Sequence, residues 1–292
     1  EALHKAELLS GIPTIILLLV AFGTSIPELF VNARAYAVGA QDLALGNAVG
    51  SNIVNFGLTL GLAAIAAPLL VRMRLLSSLL VLLVVATLAL IVFGLDGVVS
   101  RVEGVVMLLA FVAMLAFVLA RSGRESIEVR DSIAAFATTR SALWMNLLRF
   151  AVASALLYFG AKLVVQSAPM IGASWGLSPL LVGLLPIAIG TALPEVAAAI
   201  AAARRGQGDM VVGHVIGSSL FNLLVVVGGM AALRPLPLPA SFVRLELPAA
   251  IAFALVLYPM LRGDLRISKG EGVILFVAFL GFVGLQLWLV AG

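Results

Sequence analysis

The chain contains no cysteine and only two histidines among its 292 residues. The first absence excludes disulfides and thiolate metal centres, and the second leaves too few imidazoles for a histidine-built zinc site. Charge is scarce as well: 11% of residues are charged against 63% hydrophobic, with a mean hydropathy of +1.20. No ordinary soluble domain of this length has that balance, so the chain reads as a polytopic membrane protein. The net charge of +4 comes from Lys and Arg scattered in ones and twos. They form no stripe, which excludes nucleic acid as a partner and suits cytoplasmic loops facing a lipid bilayer. No Ser, His and Asp set or metalloprotease pattern is present, so an enzyme is not expected. A bound cation must be held by oxygen atoms.

A membrane-crossing helix needs roughly 20 apolar residues. Seven stretches without charge meet this pattern: Leu8 to Pro27, Leu43 to Val71, Leu75 to Leu95, Gly104 to Ala120, Met210 to Leu233, Leu247 to Leu261 and Gly272 to Gly292. Two more carry one charge each, Phe150 to Ile171 with Lys162 and Pro179 to Ala203 with Glu195. About nine spans are expected. Glu1 to Ser10 is too short and too charged to cross, and it lacks the apolar core and cleavage site of a signal peptide, so a truncated start is expected. The polar stretch around residues 121–145 divides the chain into a first half, 1–120, and a second half, 146–292. Placing that stretch in the cytoplasm also puts Arg72, Arg74, Arg204, Arg205, Arg262, Arg266 and Lys269 there, as the positive-inside rule asks. Trp144, Trp175 and Trp288 fall near span ends, as interfacial anchors do.

Two six-residue stretches place a proline and a carboxylate inside apolar runs: Gly23-Thr24-Ser25-Ile26-Pro27-Glu28 and Gly190-Thr191-Ala192-Leu193-Pro194-Glu195. Adding 167 to a position in the first half reaches its twin in the second. Gly39, Asp42, Gly46, Gly50, Ser51 and Asn55 map without a gap onto Gly206, Asp209, Gly213, Gly217, Ser218 and Asn222. The second copy falls in the sixth expected span, five spans after the first, so the two run in opposite directions through the bilayer. That is the inverted repeat of secondary transporters, whose substrate site lies near the midplane.

An acidic residue at membrane depth is costly and marks function by default. Pro27 and Pro194 lack an amide hydrogen, which frees the carbonyls of Gly23 and Gly190. Thr24 with Glu28, Ser51 with Asn55, Thr191 with Glu195 and Ser218 with Asn222 are each four residues apart and share a helical face. The set offers two carboxylates, two carboxamides and several hydroxyls or carbonyls. That suits calcium, which takes 6 to 8 oxygens. The asparagines also suit interhelical hydrogen bonds, and the serines beside glycine suit close packing.

GTSIPEL with GNAVGSNIVN, and GTALPEV with GHVIGSSLFN, resemble the two alpha-repeats of the sodium/calcium exchanger family of the cation/calcium exchanger superfamily. The resemblance implies an all-α fold of ten helices in two inverted halves of five, here with the first helix missing. It implies an antiporter of the plasma membrane that exchanges Ca2+ for Na+, with both as transported ions and no organic cofactor. Carried over position by position, the implied ligands are Ala21, Thr24, Ser25, Glu28, Ser51 and Asn55, with Ala188, Thr191, Glu195, Ser218 and Asn222. Ala21 and Ala188 contribute backbone carbonyls. Ala192 stands where a serine is usual, Asn222 where some members have aspartate, and His214 and Ser219 where asparagines are expected. A calcium/proton exchanger and a non-transporting relative are the alternatives.

Overall fold

The computed structural model describes residues 25–122, 143–263 and 265–291. It is a helical bundle. We number the helices α1 (Ile26–Ala37), α2 (Gln41–Ala66), α3 (Leu75–Phe93), α4 (Arg101–Ser122), α5 (Leu143–Ser174), α6 (Pro179–Arg204), α7 (Gly208–Leu233), α8 (Phe242–Leu261) and α9 (Lys269–Ala291). Among the described residues, eight helices, α2 to α9, are long and apolar enough to cross a membrane. They coincide with eight of the nine expected spans. The ninth, Leu8 to Pro27, lies outside the described residues except for its last three. Trp144, Trp175 and Trp288 are exposed at helix ends, as anchors should be.

The helices divide by burial. Central α2 and α7 are almost wholly enclosed, whereas α4, α5 and α9 turn large Val, Leu and Phe side chains outward. In water such faces would be an aggregation hazard; in lipid they are the solvent-facing surface. The centre of the bundle is therefore the one place where polar side chains on α2 and α7 can meet each other away from both water and lipid.

Internal symmetry is visible in the packing. Gly61 on α2 lies against Gly272 on α9, with a methyl group at Gly61 falling 3.1 Å from the Gly272 carbonyl oxygen. The same approach recurs between Gly228 on α7 and Gly104 on α4. Gly61 and Gly228 differ by 167, and Gly104 and Gly272 by 168. Helices without a hydrophobic force between them associate through such close backbone contact.

Short antiparallel pairs close the ends of the bundle. β1 (Leu69–Leu70) pairs with β4 (Arg266–Ile267), Leu69 opposite Ile267. β2 (Val98–Val99) pairs with β3 (Leu236–Pro237), Val99 opposite Leu236. Again β3 is β1 shifted by 167, so each half supplies one strand to each end. The Pro235 to Pro239 segment is extended at β3, as its prolines require. Matching capping boxes start α4 and α9: Glu103 accepts from the Ser100 amide at 2.7 Å, and Glu271 from the Ser268 amide at 2.7 Å.

One tie breaks the symmetry. Asp209 Oδ1 accepts from the amides of Arg72 and Met73, both at 2.8 Å, just ahead of α3. Its twin Asp42 is exposed. The position matching Arg72 is Pro239, which has no amide hydrogen to donate.

Candidate cation site

The helices that carry the two motifs are irregular at matched places. α2 becomes π-helical over Asn55–Leu60 and α7 over Asn222–Val227, two segments related by 167 and each opening on the candidate asparagine. Such turns widen a helix by one residue and recur at functional sites. The helix α6 stays regular through Pro194. α6 is continuous over Ala188–Arg204, and its irregular turn is Gly183–Ile187, which contains Pro186. A proline missing its hydrogen bond is absorbed there by the longer π spacing. Thr191 then closes the next turn, donating to the carbonyls of Ile187 at 3.0 Å and Ala188 at 3.3 Å.

Glycines let α6 reach the centre. A methyl group at Gly46 would strike the Leu180 carbonyl and come within 2.9 Å of the Leu184 nitrogen, and one at Gly183 would come within 2.8 Å of the Asn47 nitrogen. Backbone meets backbone at this crossing. It seats the π turn of α6 against α2.

Most candidate residues come together. Ser25 Oγ and Ser218 Oγ are hydrogen-bonded at 2.6 Å across the two halves, and Asn55 Nδ2 donates to Ser218 Oγ at 3.3 Å. Thr191 and Glu195 both lie close enough to the Glu28 carboxylate to act on its charge. Glu28 is 1% exposed and Glu195 4%, and Ser25, Ser51, Asn55, Ser218 and Asn222 are buried to the same degree. Ala21 and Thr24 lie outside the described residues.

Donors are scarce around these groups. Both carboxylate oxygens of Glu28 and of Glu195, Ser51 Oγ, Asn55 Oδ1 and Asn222 Oδ1 are buried without a hydrogen-bond partner. A buried polar atom left unsatisfied costs about 1–3 kcal/mol, more when charged. So many acceptors on facing helices demand a positive charge. Among the described residues no three His, Cys, Asp or Glu side chains cluster, so a cation here would need hydroxyl, carboxamide and carbonyl oxygens besides the two carboxylates.

Asn52, Asn47 and Asn32 extend this network and were not singled out by the motif pattern. Asn52 donates to the Ser219 carbonyl at 3.2 Å and accepts from Asn222 at 3.4 Å, which ties α2 to α7 beside the serines. Asn47 donates to Asn32 at 2.8 Å one turn beyond Glu28. Asn32 is legible in hindsight, as a carboxamide four residues after an intramembrane glutamate. His214 Nε2 stands 3.5 Å from Glu195 Oε1, at the edge of a cavity of about 260 Å3 that Ala198, Ala202, Arg205 and Gln207 also line. Away from the centre, Gln286 donates to the buried Glu246 at 2.9 Å.

Residues 7–120 and 145–288 match the family described as sodium/calcium exchanger protein. The chain belongs to that family. It is 34% identical over 291 residues to inner membrane protein YrbG of Escherichia coli, covering 96% of this chain and 88% of that one. The putative antiporter CaxA of Alkalimonas amylolytica is also 34% identical, over 91% of this chain and 85% of its own. Among solved structures, the sodium-calcium exchanger NCX_Mj soaked with Na+ and Sr2+ superimposes with a TM-score of 0.69 at 27% identity, over 93% of this chain and 86% of that one. The protein is thus a multi-pass membrane transporter of cations with the inverted-repeat exchanger fold, and not an enzyme.

Proposed function

We propose that this exchanger moves Ca2+ against Na+ by alternating access, with Glu28 and Glu195 as the central calcium ligands. The observation that carries the reading is the pair of buried carboxylates, one from each inverted half, whose oxygens sit among other acceptors without a hydrogen-bond partner. Ser51, Asn55, Ser218 and Asn222 complete the cage with neutral oxygens, and the Ala188 carbonyl and Thr191 line its second-half side. Ser25 lines the other; Thr24 and Ala21, the remaining implied ligands, lie outside the described residues. The naming of the archaeal relative MaX1 as a sodium/calcium exchanger, and the Na+ and Sr2+ soaks of NCX_Mj, support the same choice of ions.

Electrostatics explains the exchange. Two carboxylates in low dielectric repel one another, so the empty cage is held poorly and is stabilised by one divalent ion or by monovalent ions in its place. A ligand shifts the equilibrium between inward- and outward-facing states only through differential affinity. Occupied cages, with their charge neutralised, cross the apolar centre at lower cost than empty ones. The two halves, 1–120 and 146–292, supply the surfaces that rock, and residues 121–145 join them on the cytoplasmic side of the cell membrane.

The test is 45Ca2+ uptake into vesicles loaded with Na+. Sodium-driven uptake in the native protein and its loss in Glu195→Gln are expected; unchanged uptake in that variant would overturn the assignment. A proton counter-ion is the second reading, favoured by Ala192, which is buried and brings no hydroxyl where Ser25 does. Uptake driven by a pH gradient without sodium would establish it instead.

A further inference from the structure

The polar face of α2 continues past the cage. Asn47, Ser51, Asn55 and Thr59 recur every four residues and form one stripe, and each has a buried side-chain oxygen without a hydrogen-bond partner. On α1, Asn32 follows Glu28 by one turn and meets Asn47. The two carboxamides are 1% and 0% exposed, and one hydrogen bond joins them, Asn47 Nδ2 to Asn32 Oδ1 at 2.8 Å. That bond leaves Asn47 Oδ1 without a donor and Asn32 Nδ2 without an acceptor. A pair kept only for packing would be expected to satisfy itself more fully, because each orphaned group costs free energy.

We propose that Asn32 and Asn47 form an additional subsite for a partly dehydrated monovalent cation, one turn from the carboxylates toward the Val38–Ala40 turn. This rests on the exchange reading above and identifies residues that bias the site toward sodium. Asn47 Oδ1 is open, and Asn32 Oδ1 accepts one bond and keeps a second lone pair. Neutral carbonyl oxygens suit monovalent ions, whereas calcium gains most from carboxylates. Water held on the cation supplies the acceptor that Asn32 Nδ2 lacks.

The second half offers no such pair. The positions 167 residues on are Ala199 and His214, and His214 turns to Glu195. The two ends of the cage are therefore chemically unlike. Neutral oxygens flank Glu28, and an alkyl group and an imidazole flank Glu195.

The symmetry also supplies the test. Asn32→Ala installs the residue that the fold already accepts at the twin position, and Asn47→Ala is the second variant. Equilibrium binding of 22Na+ and of 45Ca2+ to detergent-purified protein is measured for each. Losing one neutral ligand should weaken 22Na+ binding about five- to tenfold while calcium affinity stays within about twofold. Unchanged sodium binding, or an equal loss for both ions, would overturn the subsite, as would a native protein that binds no 22Na+. Native protein that binds 22Na+ normally yet shows no sodium-driven calcium uptake would instead refute the exchange reading, while the variants' binding still decides the subsite.

Discussion

Replacing Glu195 by Gln should move stability and binding in opposite directions. The Glu28 and Glu195 carboxylates feel each other's charge, and their four oxygens are buried without a hydrogen-bond partner. At an effective dielectric constant near 20, two like charges repel by about 4 kcal/mol at 4 Å and by less at greater separation. Solvent and proton uptake absorb part of that, so the variant should gain about 1–3 kcal/mol of stability without cation. Calcium loses one carboxylate ligand. The gross attraction at 4 Å is about 8 kcal/mol by the same arithmetic, most of it offset by desolvation. A net loss of about 3 kcal/mol corresponds to more than a hundredfold in affinity. The assay is thermal denaturation followed by size-exclusion chromatography, with and without Ca2+. At a calcium concentration 100 times the native dissociation constant, the native protein gains about 2.7 kcal/mol and the variant only about 0.4 kcal/mol. A variant less stable than native when empty, or stabilised by calcium to the native extent, would refute the electrostatic account.

Three other outcomes follow from the packing. Asp209→Ala removes two charge-assisted bonds to the amides of Arg72 and Met73 and should cost about 2–4 kcal/mol, whereas Asp42→Ala should be near neutral; melting of the two variants side by side checks this. Gln286→Leu strands the buried Glu246 carboxylate and should destabilise by about 1–3 kcal/mol. The double replacement Glu246→Leu with Gln286→Val copies Leu79 and Val118 at the matching places in the first half and should restore most of that loss. Gly46→Ala drives a methyl group into the Leu180 backbone and should cut the yield of folded protein, while Gly190→Ala, with nothing within 4 Å, should be tolerated.

Much of the fold could be read in advance because lipid imposes a simple rule on sequence. A segment crossing hydrocarbon must satisfy its own backbone and present apolar side chains, so α2 to α9 stand out as runs of Leu, Val and Ala. The repeat was equally legible: polar and glycine positions related by 167 residues cannot arise from hydrophobicity alone. Glu28, Glu195, Ser51, Asn55, Ser218 and Asn222 followed from that pattern, and the structure draws these elements together. Harder to see were residues whose partners lie far away in the chain. Asn52 matters through Ser219 and Asn222, and Glu246 through Gln286, contacts that no local spacing announces. The irregular turn at Gly183–Ile187, with Pro186, was hidden for a related reason. A missing amide is a local fact, but which turn absorbs it depends on the neighbour, and here Gly183 against Asn47 gives the π turn its seat.

The amino-acid sequence by itself determined the membrane class, the inverted repeat and the two carboxylates, since each depends on composition, period or residue chemistry along one chain. Only the tertiary structure decided which oxygens are left without donors and how the two halves differ. Asn47 faces Asn32 whereas His214 faces Glu195, and Asp209 accepts from two amides whereas its twin Asp42 is exposed. Those differences arise because a near-symmetric backbone brings unlike side chains to equivalent places, and the free energy of a buried polar group is set by what it meets there.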